Sequence, residues 1–382
     1  MTYQGKEESL IELFDDMLKS NMSNYYMTFH PKAAERFGGK YGIRPLFTNE
    51  PKPLALPYMW KYREAKSKLY QLSELISAEE SERRTVIFVN PGLKNINFFG
   101  LSSIAPTLYG GLQLIKAGER APAHRHTPVN VRFVLEAPEK GAYIIYDGFK
   151  VDIGPGDVLV QSNWMLHDHH NNGDTDLIWL AGLDSPFVSY LSAMFYEGFV
   201  TGGVDEEQPI KSAGDVLTET YGSSLRPSRP LVSHDPWYNP VIKYPWRNIL
   251  RTLTHLHSMG NLDQHEGVSV ELTNPLSGGP ALPTIRITTT LIPPKTDLYP
   301  LRRTENMVLV NFDGEIVVEV MESIDGKKTF HLADHDVVVL PTWTKYRLSN
   351  RDDRPAILFT YSDAPIYKSF GLYREIKFEG TR

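Results

Sequence analysis

The chain has 382 residues, too many for one hydrophobic core and enough for two domains with connecting elements. A net charge of −6 and a pI of about 6.1 offer no basic face, which argues against nucleic acid and anionic membranes as partners. There is no cysteine, so disulfides and thiolate metal sites are excluded and any metal must rest on His, Asp or Glu. The N-terminal residues lack a basic and then apolar leader, and no apolar run approaches the roughly 20 residues of a membrane span. The expected compartment is the cytoplasm.

In chain order, Leu10, Leu13, Phe14, Met17 and Leu18 recur at helical spacing, and a second helix is expected over Trp60 to Ile76. From Thr85 the texture changes to short β-rich runs: Thr85 to Val89, Val131 to Leu135, Ala142 to Tyr146, Val158 to Gln161 and Leu177 to Leu180. Asp147-Gly148 and Gly154-Pro155-Gly156-Asp157 supply turns between them. Such spacing points to a mainly β fold of the sandwich or barrel kind. Residues 201–270 read as a surface linker followed by a short helix around Arg247 to Met259.

The pattern then repeats. Leu114-Ile115 answers to Leu291-Ile292, Asp157-Val158-Leu159-Val160 to Asp336-Val337-Val338-Val339, Trp164 to Trp343, and Asp184-Ser185-Pro186 to Asp363-Ala364-Pro365. The offset stays between 177 and 179 residues, which implies a duplicated β-domain. The expected organisation is an N-terminal helical arm over 1–84, a first β-domain over 85–200, the linker over 201–270 and a second β-domain over 271–382.

Five of the twelve histidines fall in two short segments, His124-Arg125-His126 and His167-Asp168-His169-His170. Residues two apart on a strand share a face, so His124 and His126 can hold one metal ion together. His167, just beyond the Val158 to Gln161 strand, is the candidate third ligand. In the second copy these positions are Leu301, Arg303 and about Tyr346, so one copy is expected to bind metal and the other to scaffold. His255 and His257 are also two apart, but on an expected helix they diverge by about 200° and make poor joint ligands.

Gly118, five residues, then His124-x-His126 resembles the first cupin motif, and His167-x-x-x-Asn171 the end of the second. More narrowly, the chain is similar to the gentisate 1,2-dioxygenase group, which includes salicylate and 1-hydroxy-2-naphthoate dioxygenases. The residues carrying this are Glu82-Arg83-Arg84 with Asn90-Pro91-Gly92-Leu93, Ala121 to Thr127, Arg132-Phe133-Val134, Trp164-x-x-His167-Asp168-His169, Gly182-Leu183-Asp184-x-Pro186 and Tyr361-Ser362-Asp363-x-Pro365. The resemblance implies a bicupin of two jelly-roll domains behind an N-terminal helical segment. It also implies Fe(II) on His124, His126 and His167, a small aromatic hydroxy acid and O2 as substrates, and a homotetramer. For gentisate it implies maleylpyruvate as product. The chain departs from the group at Tyr109, Pro128, Ala181 and the long Glu136 to Gly141 turn, and it lacks the glutamate that usually follows the His pair in cupins. These departures leave the substrate range open among gentisate, salicylate and 1-hydroxy-2-naphthoate.

Around the trio, Arg132 keeps the parity of His124 and His126 if the strand runs unbroken past Pro128, and could then pair with a substrate carboxylate. His169 is a candidate proton acceptor. The resemblance places Gln113 in the pocket, although a structural amide is an alternative. Arg83 or Arg84 is a candidate second positive charge or a helix-end surface residue. Gly110 and Gly111 beside Tyr109 read either as a roomy pocket wall or as a β-bulge. Other cupin enzymes usually retain the glutamate, and non-enzymatic bicupins commonly lose the histidines in both halves. Both readings therefore rank below a ring-cleaving dioxygenase.

Overall fold

The computed structural model describes residues 3–41, 47–77, 81, 84–95, 103–201, 204–205, 207–212, 214–233 and 235–380. It divides into two compact units, residues 1–52 and 53–382. In the first, helices Tyr3–Lys19, Tyr25–Phe29 and Pro31–Tyr41 gather Phe14, Met27, Ala33 and Phe37 into a small core. Asn24 starts the middle helix by accepting the Met27 N–H at 2.8 Å, which satisfies an otherwise unpaired helix donor.

The second unit is a pair of jelly rolls, the first a six-stranded sheet facing a five-stranded one and the second a six-stranded sheet facing another of six. In the first, the large sheet holds strands Tyr109–Ile115, Asn130–Glu136, Val158–Gln161 and Leu177–Leu183. The small sheet holds Arg120–His126, Ala142–Tyr146 and His167–Asn171. Strands Arg286–Ile292, Met307–Asp313, Val337–Leu340 and Ala356–Ser362 repeat the large sheet at the offsets read from the sequence. The two large sheets pack face to face, with Phe133 stacked on Phe359 at 4.8 Å and 11°. Each large sheet is thus buried on both faces, which is why its strands read as continuous apolar runs and not as an alternation.

The connecting stretches depart from expectation. Trp60, expected to begin a helix, ends the Tyr58–Trp60 strand, which pairs with Val337–Val339 of the second barrel; the helix runs Tyr62–Ser73. Trp60 packs its ring against Phe88 at 5.2 Å, so its apolar character serves a sheet edge. The 201–270 stretch is more than a surface connection. Leu217, Tyr221, Val241 and Ile242 enter the first barrel's core, and Lys243–Tyr244 extends its large sheet. The expected helix spans Trp246–Ser258 and leaves His255 and His257 exposed. Each connection therefore lends a strand to the barrel that does not follow it.

A reciprocal pair of hydrogen bonds ties the barrels together. Thr284 donates to Asp184 at 2.7 Å, and Thr107 donates to Asp363. Burial pushes Asp363 from its ordinary value of 3.8 up to about 7. A carboxyl raised on folding stabilises the fold fully below its unfolded value, and this contribution is lost as pH rises through the folded value. Melting temperature should therefore fall between pH 5 and pH 8, and Asp363→Asn should flatten that slope. An unchanged slope in the variant would refute the assignment.

Candidate metal centre and active site

His124 and His126 lie on the Arg120–His126 strand and His167 opens the His167–Asn171 strand beside it; His124 and His167 are cross-strand partners. All three are buried, and one ligand atom from each lies within 4.8 Å of the others. Among the described residues this is the one group of His, Cys, Asp or Glu able to hold a metal ion. The backbone fixes the tautomers. Nδ1 of His124 meets Pro122 O at 2.9 Å, that of His126 meets Pro128 O at 2.9 Å, and that of His167 meets Met165 O at 3.0 Å. A carbonyl only accepts, so each Nδ1 carries the proton and each Nε2 carries a lone pair. His167 Nε2 is buried without a hydrogen-bond partner, the cost expected of a donor atom waiting for an ion. Burial, reinforced by His124 and Arg132, lowers the His167 pKa well below 6.5 and keeps that ring neutral. Three neutral imidazoles with fixed lone pairs fit a divalent transition metal.

The opposite wall comes from the large sheet. Arg132 is fully buried, but it does not arrive by the expected parity. The ligand strand ends at His126, and Arg132 sits on the separate Asn130–Glu136 strand of the facing sheet. Its Nη1 donates to Tyr146 Oη at 3.0 Å and to Gln161 Oε1 at 3.1 Å; Nη2 donates to the same Gln161 oxygen at 3.1 Å and lies 3.4 Å from His169 Nε2. His169 is buried, its ring 5.4 Å from that of His167 and 5.1 Å from that of Trp179. Gln113 accepts the Trp179 indole N–H at 2.6 Å.

Tyr109, Gly111 and Gln113 alternate on one face of their strand, the face that joins the first barrel's own core. Neither glycine leaves open room. A side chain at Gly111 would meet the Tyr109 hydroxyl at 2.8 Å, and one at Gly110 would meet the Tyr361 hydroxyl at 2.7 Å. Both allow close approach of a tyrosine. Arg84 pairs in register with Leu114, one position away from Gln113, and so faces the other side of the sheet. Its guanidinium is committed to Glu119, at 2.5 and 2.9 Å, and to Ile76 O at 2.8 Å, so the structure does not bring it to the trio. Arg83 lies outside the described residues.

Sequence reasoning passed over Gln161, Tyr146 and Trp179. Gln161 left a signal: an amide closing the apolar Val158-Leu-Val run just before the His167 segment is hard to bury without a polar partner. Tyr146 and Trp179 left none, since each reads as an ordinary apolar strand residue. Ala181, one of the departures, lies opposite both Arg132 and Gly111 in the ladder, so Arg132 takes its partners from Gln161 and Tyr146. In the second barrel Leu301 is buried. Arg303 is ion-paired to Glu266 and Glu375, and the Tyr346 hydroxyl meets Met307 Sδ at 3.4 Å.

Two fused jelly rolls with, among the described residues, a histidine trio in the first alone define a bicupin with a candidate metal centre. Residues 111–182 match the cupin domain family. The chain is 33% identical to gentisate 1,2-dioxygenase 1 of Aquipseudomonas alcaligenes, covering 87% of this chain and 90% of that one. It is 31% identical to the 1-hydroxy-2-naphthoate 1,2-dioxygenase of Nocardioides sp. (strain KP7), covering 85% and 80%. The crystal structure of salicylate 1,2-dioxygenase from Pseudoaminobacter salicylatoxidans superposes with a TM-score of 0.74 at 26% identity, covering 92% of this chain and 98% of that one. The chain belongs to this family of ring-cleaving gentisate- and salicylate-type 1,2-dioxygenases, and it is an oxidoreductase of that type.

Proposed function

We propose that the protein is an Fe(II)-dependent gentisate 1,2-dioxygenase, cleaving between the carboxyl-bearing and adjacent hydroxyl-bearing ring carbons to give maleylpyruvate. The observation carrying this reading is the trio of Nε2 lone pairs, fixed by three Nδ1–H···O=C bonds, with a buried guanidinium on the facing sheet. His124, His126 and His167 would hold the iron. Bound Fe(II) supplies the redox-active centre that lets triplet dioxygen react with a singlet ring. The three neutral ligands add no negative charge, so the site keeps its attraction for a dianionic hydroxybenzoate. Arg132 adds a fixed positive charge for the carboxylate, and its burial strengthens the pairing. His169 Nε2 accepts from Arg132 Nη2 at 3.4 Å, and would take the phenolic proton once Arg132 turns to the substrate carboxylate and frees that lone pair. Gln113 is locked by Trp179 and lines the same wall.

Gentisate is favoured because the gentisate enzymes of Aquipseudomonas alcaligenes and of Streptomyces sp are each 33% identical to this chain. Salicylate and 1-hydroxy-2-naphthoate are the alternatives. On this reading residues 85–200 form the catalytic domain and 271–382 the scaffold, in a cytoplasmic homotetramer. Among the described residues no helix is long and apolar enough to cross a membrane. Oxygen uptake by the Fe(II)-loaded protein should be fastest with gentisate and slower with salicylate and 1-hydroxy-2-naphthoate. Uptake with none of the three would reject the dioxygenase reading, and a preference for another would reassign the substrate.

A further inference from the structure

Gln161 bridges the two halves of the site. Its side-chain oxygen receives both terminal nitrogens of Arg132, each at 3.1 Å, while its amide nitrogen lies 3.4 Å from His126 Nε2. The orientation is not free to flip. A guanidinium only donates, so the atom facing Arg132 must be the oxygen, and the NH2 group must face the histidine. The bond to His126 also fits, because Pro128 O holds the proton on Nδ1 and leaves Nε2 as an acceptor.

That acceptor has one lone pair in the ring plane. It can receive an N–H or bind a metal ion, but not both. Loading the trio therefore removes the partner of a fully buried amide donor (Gln161 is 0% exposed). A buried N–H without a partner costs free energy, so the site is left with a demand for an acceptor. The amide nitrogen, 3.4 Å from the ring atom that would hold the ion and on the side of its lone pair, stands beside the metal position, where a ligand oxygen would sit. We propose that Gln161 is a metal-released hydrogen-bond donor, which gives its N–H to His126 in the empty site and to an anionic oxygen of the aromatic hydroxy acid once metal is bound. Arg132 keeps it aimed by holding the other end of the amide. This inference rests on the dioxygenase reading and adds a substrate contact to it.

The test uses Gln161→Met, close in size and lacking both polar atoms, and Co(II) as a stand-in whose visible absorption reports ligand binding without turnover. Removing the competing donor should tighten Co(II) binding by about 2- to 10-fold, the worth of one net hydrogen bond. Gentisate binding to the Co(II)-loaded variant should weaken about tenfold or more, as expected for a lost bond to a charged oxygen. Opposite signs are the signature, because a role limited to supporting the barrel would weaken both. Loss of both affinities together, or gentisate affinity within twofold of the wild type, would overturn the proposal while leaving the dioxygenase reading intact. Failure of the Co(II)-loaded wild type to bind any aromatic hydroxy acid would overturn both.

Discussion

His126→Ala is expected to yield a folded protein that retains no iron and consumes no oxygen with gentisate. Loss of a partner one shell further out typically costs 10- to 100-fold in metal affinity, so removing a ligand should cost at least about 100-fold. The trio provides three donors in all, so the variant would keep only two. The fold should survive, because the barrel is closed by core residues such as Ile144, Leu159 and Trp179 and by the stacked faces of the two large sheets. Circular dichroism checks the fold, and metal analysis after anaerobic reconstitution checks the site. His255→Ala serves as the control, since that histidine is exposed on the Trp246–Ser258 helix. Full iron retention by His126→Ala would refute the ligand assignment.

Arg132→Met should leave iron in place and lower kcat/KM by at least about 30-fold. Breaking a buried, hydrogen-bonded charge contact costs about 2–5 kcal/mol, and a factor of 30 corresponds to the lower end. The substitution removes the positive charge opposite the metal. It also leaves the Tyr146 hydroxyl and Gln161 oxygen without the donors at 3.0 and 3.1 Å that they have now. Arg132→Lys should recover only part of the loss, because an ammonium cannot reach Tyr146, Gln161 and His169 with the geometry of a planar fork. Steady-state oxygen uptake measures both variants. Wild-type kcat/KM in Arg132→Met would rule out contact between this residue and the substrate.

Some of the architecture was legible in the chain because it depends on local spacing. Strand periodicity and turn residues marked the β-runs, and an offset of 177 to 179 residues exposed the duplication. His124 and His126 were readable as a pair because a strand puts alternate residues on one face, and the altered positions in the second copy singled them out. Arg132 comes near the trio by a route that strand parity does not give, since the turn after His126 puts it on a separate strand.

What the sequence by itself determined was the duplicated β-fold, the imidazole trio and the chemistry such a trio permits. Tertiary structure alone decided that Arg84 turns to Glu119, that Tyr58–Trp60 joins the second barrel, and that Gln161 stands between Arg132 and His126. Alternation along one strand says which residues share a face. It does not say which strand of the opposite sheet that face will meet, and every polar contact between these two sheets depends on that meeting.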